Sequence, residues 1–210
     1  MSALLNRLAY QKTRRDRTPN LDLARDLAAR EDKVGIREIA ENMWNENKNI
    51  HSDCIHVMYE LGAIDPMLIM LYAQDFIKLL KSKNHDMVFG AITALAEIAK
   101  VQPDFTFKHL VEIQKARDTA PVTAIEPLIS LLAYTASAND NYNKTIFPYL
   151  LQQLSTCRPS EMAHYAELTL PAVNENNKAD FIKALRKRNE DLSGAAYTRL
   201  AKIIRLAEKI

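Results

Sequence analysis

Apolar residues recur along the chain in two interleaved series, each of which anchors helical runs. The first series consists of Ile36, Phe76, Phe107, Phe147 and Phe181. The second series consists of Leu61, Leu95, Leu132, Leu170 and Leu200. Neighbours within a series lie 30 to 40 residues apart. This period predicts stacked helical hairpins, because a single hairpin of this size cannot bury its apolar face alone.

Polar and proline-containing segments interrupt these runs where hairpin turns are needed. They fall at residues 18–20, 45–49, 65–66, 83–84, 102–103, 139–141, 158–159 and 174–177. This spacing predicts helices of ordinary length joined by short turns, about eleven of them after the N-terminal segment. Pro127, Pro148 and Pro171 fall inside or at the start of helical runs and should kink them or occupy first turns. Because the chain has only four glycines and no β-type alternation, the predicted fold class is all-α.

The run that begins at Asp86 shows how one of these helices would pack. Its apolar residues at three- and four-residue spacing form a stripe. The stripe consists of Val88, Ala91, Ile92, Leu95, Ile98 and Ala99. Asn84 or Asp86 can cap the first amides. The opposite face carries Phe89, Thr93 and Glu97.

The same run carries a resemblance to a known family. Asp86-x-Val88-x-x-Ala91-x-x-Ala94-Leu95-x-x-Ile98 resembles the second helix of a HEAT repeat, and Asp53-x-Ile55 with Leu61-Gly62-x-Ile64 resembles that helix one repeat earlier. The likeness covers about five units over residues 33–208. It implies a HEAT-like, armadillo-type protein: a right-handed superhelical α-α solenoid of about five hairpins, with the second helices lining its concave face. Members of this class usually bind proteins or nucleic acids and seldom catalyse reactions.

The N-terminal segment is basic and amphipathic. Its first 17 residues include five Arg or Lys against one acidic residue, and Leu4, Leu5 and Leu8 would share one helical face. A mitochondrial presequence has this character, but the Ser enrichment usual there is missing, which favours a capping helix or basic arm. We therefore predict such an arm or helix at residues 1–19, followed by a single HEAT-like domain over residues 20–210.

The positions of the cysteines and the hydropathy of the chain indicate the cellular compartment of the protein. Cys54 and Cys157 lie about three repeats apart. Because each packed helix adds about 8–10 Å, the distance between the two cysteines should exceed the ~7 Å limit for a disulfide. This predicts reduced thiols in a cytoplasmic chain. No apolar run approaches the roughly 18–20 residues needed to cross a bilayer, so no membrane span is predicted.

The densest group of potential metal ligands lies between His51 and His56. Two histidines, a carboxylate and a thiol within six residues are donors that transition metals accept. The two histidines are five residues apart, however, and so do not share a helical face. We interpret the segment as a helix start capped by Ser52 or Asp53, with Cys54 buried and His56 on the flank. No metal site is predicted.

Motifs of catalysis and nucleotide binding are missing from the sequence. No two glycines lie close enough to form a phosphate loop, and Gly-x-Ser-x-Gly does not occur. Deoxyhypusine hydroxylases are HEAT-like enzymes that hold iron with His-Glu pairs, and the chain has no His-Glu dipeptide. The sequence therefore predicts a non-enzymatic protein with no cofactor and no small-molecule substrate.

Trp44 is the only tryptophan of the chain. It lies in sequence beside Ile39, Ala40 and Met43, which are apolar residues of the same helical run. We expect the indole to lie in the core or to plug an interface.

Basic residues concentrate at the two ends of the chain. Residues 1–19 hold five basic and one acidic residue, net +4, and residues 178–210 hold nine and four, net +5. Between them, fourteen basic and twenty-one acidic residues give −7. The C-terminal hairpin could bind phosphate groups, or its charges could simply form the polar outer face that a terminal repeat needs. The candidate anion-binding residues are Arg186, Lys187, Arg188, Arg199, Lys202 and Arg205.

The favoured hypothesis is a non-catalytic scaffold or adaptor that binds a protein or peptide on the concave face of the solenoid. The predicted contact residues are Phe89, Thr93, Glu97, Glu126, Ser130 and Tyr134. Phe89 is the most informative, because an aromatic ring on a solvated face needs either a neighbouring repeat or a partner to cover it. The alternative function is nucleic-acid binding by the basic N-terminal arm and C-terminal repeat, chiefly through phosphate contacts.

Overall fold

The computed structural model of the chain describes residues 2–12, 16–188, 192 and 194–210. In this part of the chain there are twelve α-helices, six short 3-10 helices and no β-strand. The α-helices are α1 (Thr18–Ala29), α2 (Lys33–Glu41), α3 (Lys48–Ile64), α4 (Ala73–Leu79), α5 (His85–Ala99), α6 (Pro103–Lys108), α7 (Leu110–Arg117), α8 (Ile125–Ser137), α9 (Asp140–Thr156), α10 (Pro159–Thr169), α11 (Lys178–Lys187) and α12 (Gly194–Ala207). The all-α prediction is confirmed.

The chain divides into two compact units, Met1–Pro127 and Leu128–Ile210, hereafter unit 1 and unit 2. The division falls inside α8, whose first three residues belong to unit 1. The segment before residue 20 is part of unit 1. The single domain predicted for residues 20–210 stays a prediction.

The two hydrophobic series fall on two different sets of helices. The first series lies in α2, α4, α6, α9 and α11, and the second lies in α3, α5, α8 and α12, with Leu170 in the 3-10 turn directly after α10. In unit 1, α3 packs between α1 and α5, while α2 covers α3 and α4 covers α5. In unit 2, α10 packs on α12, and α9 and α11 cover them. The sequence period therefore separates two helical layers within each unit.

Helix α5 packs as its sequence pattern predicts. All six residues of the predicted stripe are buried. Asn84 is the N-cap residue, and its side chain accepts a hydrogen bond from the Asp86 amide. A Cβ at Gly90 would lie 2.4 Å from Ile55 Cγ1, so glycine lets α3 and α5 approach closely.

Two members of the hydrophobic series do not reach the core. Phe107 and Leu170 are only partly buried, whereas the other eight are buried. In α6, the buried position is Thr106, whose hydroxyl donates to the Pro103 carbonyl at 2.9 Å. Helix α6 has only six residues before α7 begins, so the hairpin that Phe107 opens is irregular.

The N-terminal segment packs into unit 1. Leu5, Leu8 and Ala9 are buried, and residues Leu5–Arg7 form a 3-10 helix. Helix α1 begins at Thr18, with a proline in its first turn. Arg14 and Arg15, which belong to the predicted basic arm, lie outside the described residues.

Asparagine side chains connect the helices of unit 2. Asn143 of α9 donates to the Ala172 carbonyl at 2.7 Å and accepts from Asn177 Nδ2 at 2.8 Å. Asn177 precedes α11, so these buried bonds fix where α11 begins relative to α9. Pro148 lies inside α9, as predicted from the sequence.

Candidate partner-binding surfaces

A partly exposed stripe runs along helix α5. Ten of its fifteen residues are buried, and Phe89, Thr93 and Glu97 follow one another at four-residue spacing on the side that stays partly exposed. The Thr93 hydroxyl donates to the Phe89 carbonyl oxygen at 2.9 Å. Glu97 accepts a hydrogen bond from Lys100. The stripe therefore offers an aromatic ring, a hydroxyl oxygen and a carboxylate in one line.

Tyr59 of α3 covers one side of the Phe89 ring. The two ring centroids are 5.9 Å apart and the planes meet at 89°, an edge-to-face pair. Burial raises the pKa of Tyr59, and a hydrogen bond from Arg17 opposes that rise. Phe89 thus packs against the preceding hairpin and still remains partly exposed. We call Tyr59, Phe89, Thr93 and Glu97 the Phe89 surface.

The other three predicted contact residues lie on α8. Glu126 is exposed in its first turn, and Ser130 and Tyr134 are partly exposed further along. Their four-residue spacing places them on one side of the helix. Glu126 belongs to unit 1, whereas Ser130 and Tyr134 belong to unit 2. Three of the six predicted residues therefore lie on α5 and three on α8.

A buried polar network that the sequence did not predict ties the N-terminal segment to α1 and α3. Asn20 is fully buried, and its Nδ2 donates to Asp53 Oδ1 at 2.8 Å and to His56 Nδ1 at 3.3 Å. Its Oδ1 accepts from the Ala9 amide at 2.8 Å. Asp53 Oδ2 accepts from the Tyr10 amide at 2.8 Å. Every polar atom of the Asn20 side chain is therefore hydrogen-bonded.

The network also fixes the tautomer of neutral His56. Because Asn20 Nδ2 is a donor, Nδ1 of His56 must accept, and the ring proton lies on Nε2, 3.1 Å from Glu60 Oε1. The predicted cap at Ser52 or Asp53 is wrong, since α3 begins earlier and Asn47 caps it. The predicted flank position of His56 is also wrong, because the ring is buried.

Trp44 lies at the surface and not in the core, which was one of its two predicted positions. Its exposed fraction is 52%, whereas the preceding Met43 is buried. Met43 and Trp44 are the last two residues of the 3-10 turn Asn42–Trp44, which follows α2. The indole forms one wall of a pocket between this turn and the end of α4. The helical period misassigned it because the α-helix ends at Glu41 and the turn changes the direction of the following side chains.

Half of the predicted anion-binding residues are occupied by contacts within unit 2. Arg186 pairs with Glu208 at 2.8 Å, and Arg199 contacts both carboxylate oxygens of Glu167. The Arg199 hydrogen bond holds the pKa of Glu167 below its usual value. These exposed pairs contribute little stability, and they reduce the charge available to a ligand.

Arg188 caps the end of α9. Its Nη1 donates to the carbonyl oxygens of Leu154, Ser155 and Cys157 at 3.1, 3.1 and 2.8 Å. Such carbonyls lack partners within the helix. The other three candidates are exposed. They are Lys187, Lys202 and Arg205. One of them, Lys202, lies close enough to Glu167 to help hold the pKa of that carboxyl down.

The cysteines and acidic residues do not form a reactive centre in the described part of the chain. Both thiols are free and buried, and burial raises the pKa of Cys54 to about 12, which disfavours the nucleophilic thiolate. No three His, Cys, Asp or Glu side chains in the described residues are grouped to hold a metal ion. None of the described helices is long and apolar enough to cross a membrane.

Solved structures of engineered proteins resemble this chain over its full length. Two engineered proteins from the Northeast Structural Genomics Consortium are each 16% identical to it. One has a TM-score of 0.65 and matches 100% of this chain and 98% of its own. The other has a TM-score of 0.64 and matches 100% of both. A designed armadillo repeat protein is 12% identical, with a TM-score of 0.60 over 96% of this chain and 98% of its own.

The sequence itself matches no protein-family model and no curated protein. The structural likeness, together with the two layers of helices in each unit, shows that the chain has the fold of a helical-repeat protein, an α-solenoid of the armadillo type. The resemblance carried by the helix motifs is thereby confirmed at the level of the fold.

Proposed function

We propose that the protein is a non-catalytic scaffold that binds a protein or peptide at the Phe89 surface. The observation that carries the proposal is the Tyr59–Phe89 aromatic pair, which stays partly exposed on helices whose other faces are buried. Armadillo-type folds suit this role because stacked helices present extended rigid surfaces. A preformed surface also lowers the ordering cost of binding.

The chemistry of the surface favours a peptide with an apolar side chain beside a donor or a cation. The aromatic edges offer area for an apolar side chain. The Thr93 oxygen can accept a hydrogen bond from a peptide amide, and the Glu97 carboxylate can bind a cation in exchange for its exposed pair with Lys100. In this proposal, Glu126, Ser130 and Tyr134 form a second contact group on α8.

The decisive variant is Phe89→Asp, compared with Tyr149→Asp. Tyr149 is an exposed aromatic residue on α9 and so controls for the loss of an aromatic ring and the gain of a charge. Peptides would be selected from a random display library on the wild-type protein and then measured on both variants. We expect selected peptides to lose at least about tenfold in affinity for Phe89→Asp, as is typical of a buried aromatic hot spot, and to retain affinity for Tyr149→Asp.

Folding must be checked separately, because Phe89 also contacts Tyr59. Far-ultraviolet circular dichroism and thermal unfolding would show whether Phe89→Asp keeps the native fold, and Phe89→Ala offers a milder change. Selected peptides that bind wild type and a folded Phe89 variant equally well would contradict the proposed site.

The proposal includes a cytoplasmic location and no enzymatic activity. Two buried free thiols fit a reducing compartment. The fold class is generally non-enzymatic. No cofactor or small-molecule substrate is part of the proposed function.

Nucleic-acid binding by the basic ends is the alternative proposal. It is supported by the exposure of Lys187, Lys202 and Arg205. Arg186, Arg188 and Arg199 already contact other groups of unit 2. Nucleic-acid binding therefore has less support than protein binding.

A further inference from the structure

A pocket in unit 1 lies apart from the residues of the Phe89 surface. It opens between the turn that joins α2 to α3 and the turn that joins α4 to α5, and Trp44, Lys78, Lys81 and Ser82 are among the residues that line it. Its apolar lining also includes Met43, Leu79 and Met87, which are buried. The pocket therefore combines an apolar floor, an aromatic wall and two ammonium groups.

The turn that carries Trp44 is held by side-chain hydrogen bonds. Asn42 Nδ2 donates to the Glu38 carbonyl at 2.9 Å, and Asn45 Nδ2 donates to Asn42 Oδ1 at 2.8 Å. Asn45 Oδ1 accepts from the Asn47 amide at 2.9 Å. An indole that is 52% exposed on a braced turn is ready to contact a ligand without first ordering its backbone.

The charge of the lining is positive. Lys78 forms an exposed pair with Asp75 at 2.9 Å, which a ligand carboxylate can replace at little cost. Lys81 is exposed and close enough to Glu112 to help hold the pKa of that carboxyl down. His51 adds no charge near neutral pH, because burial lowers its pKa and its Nε2 accepts from Asn84 at 2.8 Å. No carboxylate of the described residues lines the pocket, although Asp86 lies close enough to His51 to oppose the lowering of its pKa.

We propose that this pocket binds an acidic peptide segment. One apolar side chain of the peptide packs between Trp44 and the methionine floor, and neighbouring carboxylates pair with Lys78 and Lys81. A nucleic acid fits less well, because residues 20–177 carry a net charge of −7 and repel a polyanion. Two ammonium groups instead match one or two carboxylates. This binding site is separate from the Phe89 surface and does not depend on it.

The pocket carries its own reporter, since Trp44 is the only tryptophan. The test is a fluorescence titration with a blocked five-residue peptide, Gly-Glu-Leu-Glu-Gly, which carries two carboxylates. We expect a saturable blue shift of Trp44 emission as the indole loses water. The same peptide with lysines in place of glutamates, or with glycine in place of leucine, should bind at least about tenfold more weakly.

Charge reversal provides the matched variants. Lys78→Glu combined with Lys81→Glu should lower the affinity for the glutamate peptide at least about tenfold, because two attractive contacts become repulsive. Lys144→Glu, which changes an exposed lysine of α9 in unit 2, should leave this affinity unchanged. An unaltered emission maximum without peptide shows that the double variant keeps its turn. The lysines are too exposed for their reversal to prevent folding.

Three results would overturn the proposal. One is the lack of a saturable emission change at millimolar peptide. Another is equal binding of the glutamate and lysine peptides to the wild type. The third is tighter binding by a single-stranded oligothymidylate than by the glutamate peptide, which would assign the pocket to base stacking and phosphate contact.

Discussion

At the scale of the residue, Asn20 has the most consequential position in unit 1. Its fully buried side-chain amide bonds three groups, the Ala9 amide of the N-terminal segment and the Asp53 and His56 side chains of α3. Removing one partner from a buried network leaves the others unsatisfied, which costs more than the bond itself contributes. The N-terminal segment therefore depends on a side chain in the first turn of α1.

We expect Asn20→Ala to destabilise unit 1 by about 2–3 kcal/mol, because the Ala9 amide and the Asp53 carboxylate each lose a buried partner. Hydrogen–deuterium exchange should rise in α1 and α3, and trypsin should cut faster after Arg7. Asn49→Ala, an exposed asparagine of α3, is the control and should stay within about ±0.5 kcal/mol. Equal exchange in both variants would show that the network contributes no stability.

The sequence could not reveal this network. Asn20 lies 33 residues before Asp53 and 36 before His56, on a different helix. Helical periodicity only separates buried from exposed positions. A polar residue at a buried position is informative, but its partner depends on how the helices dock. The exposure of Trp44 could not be predicted either, because it follows from a local 3-10 turn and not from residue type.

At the scale of the element, the hydrophobic period predicted which helices form each layer. The stripe of α5 and the Asn84 cap follow from local rules of spacing and capping. The rules failed at Phe107, because α6 ends after six residues and Thr106 takes the buried position. A threonine can occupy a buried position when its hydroxyl donates a hydrogen bond to a carbonyl of its own helix. A pattern of apolar residues alone therefore does not predict the burial of Thr106.

Arg188 gives the clearest test of an element boundary. We expect Arg188→Ala to cost about 1–3 kcal/mol in local stability, because three carbonyl oxygens at the end of α9 lose a charged donor. Amide exchange should rise near the end of α9 and in α11. Lys187→Ala, the neighbouring exposed residue, should change exchange little. A shared response of both variants would indicate general charge loss and not capping.

At the scale of the whole molecule, the charge distribution limits what the basic ends can bind. Residues 1–19 and 178–210 carry net charges of +4 and +5, whereas the residues between them carry −7, so the acidic majority of the chain repels a polyanion. Three cations of the C-terminal hairpin, Lys187, Lys202 and Arg205, are exposed, whereas Arg186 and Arg199 pair with Glu208 and Glu167. A count of charges along the sequence does not show which of them are already paired.

The three exposed cations give a quantitative expectation for random-sequence duplex DNA. Three phosphate contacts predict a slope of about −3 for the logarithm of the binding constant against the logarithm of salt concentration, and negligible binding near physiological salt. The triple variant Lys187→Glu, Lys202→Glu and Arg205→Glu should abolish the low-salt binding, whereas Lys144→Glu should not. Filter binding at several salt concentrations measures both. A slope steeper than about −6 would mean that many more cations contact phosphate, and nucleic-acid binding would then replace protein binding as the favoured function.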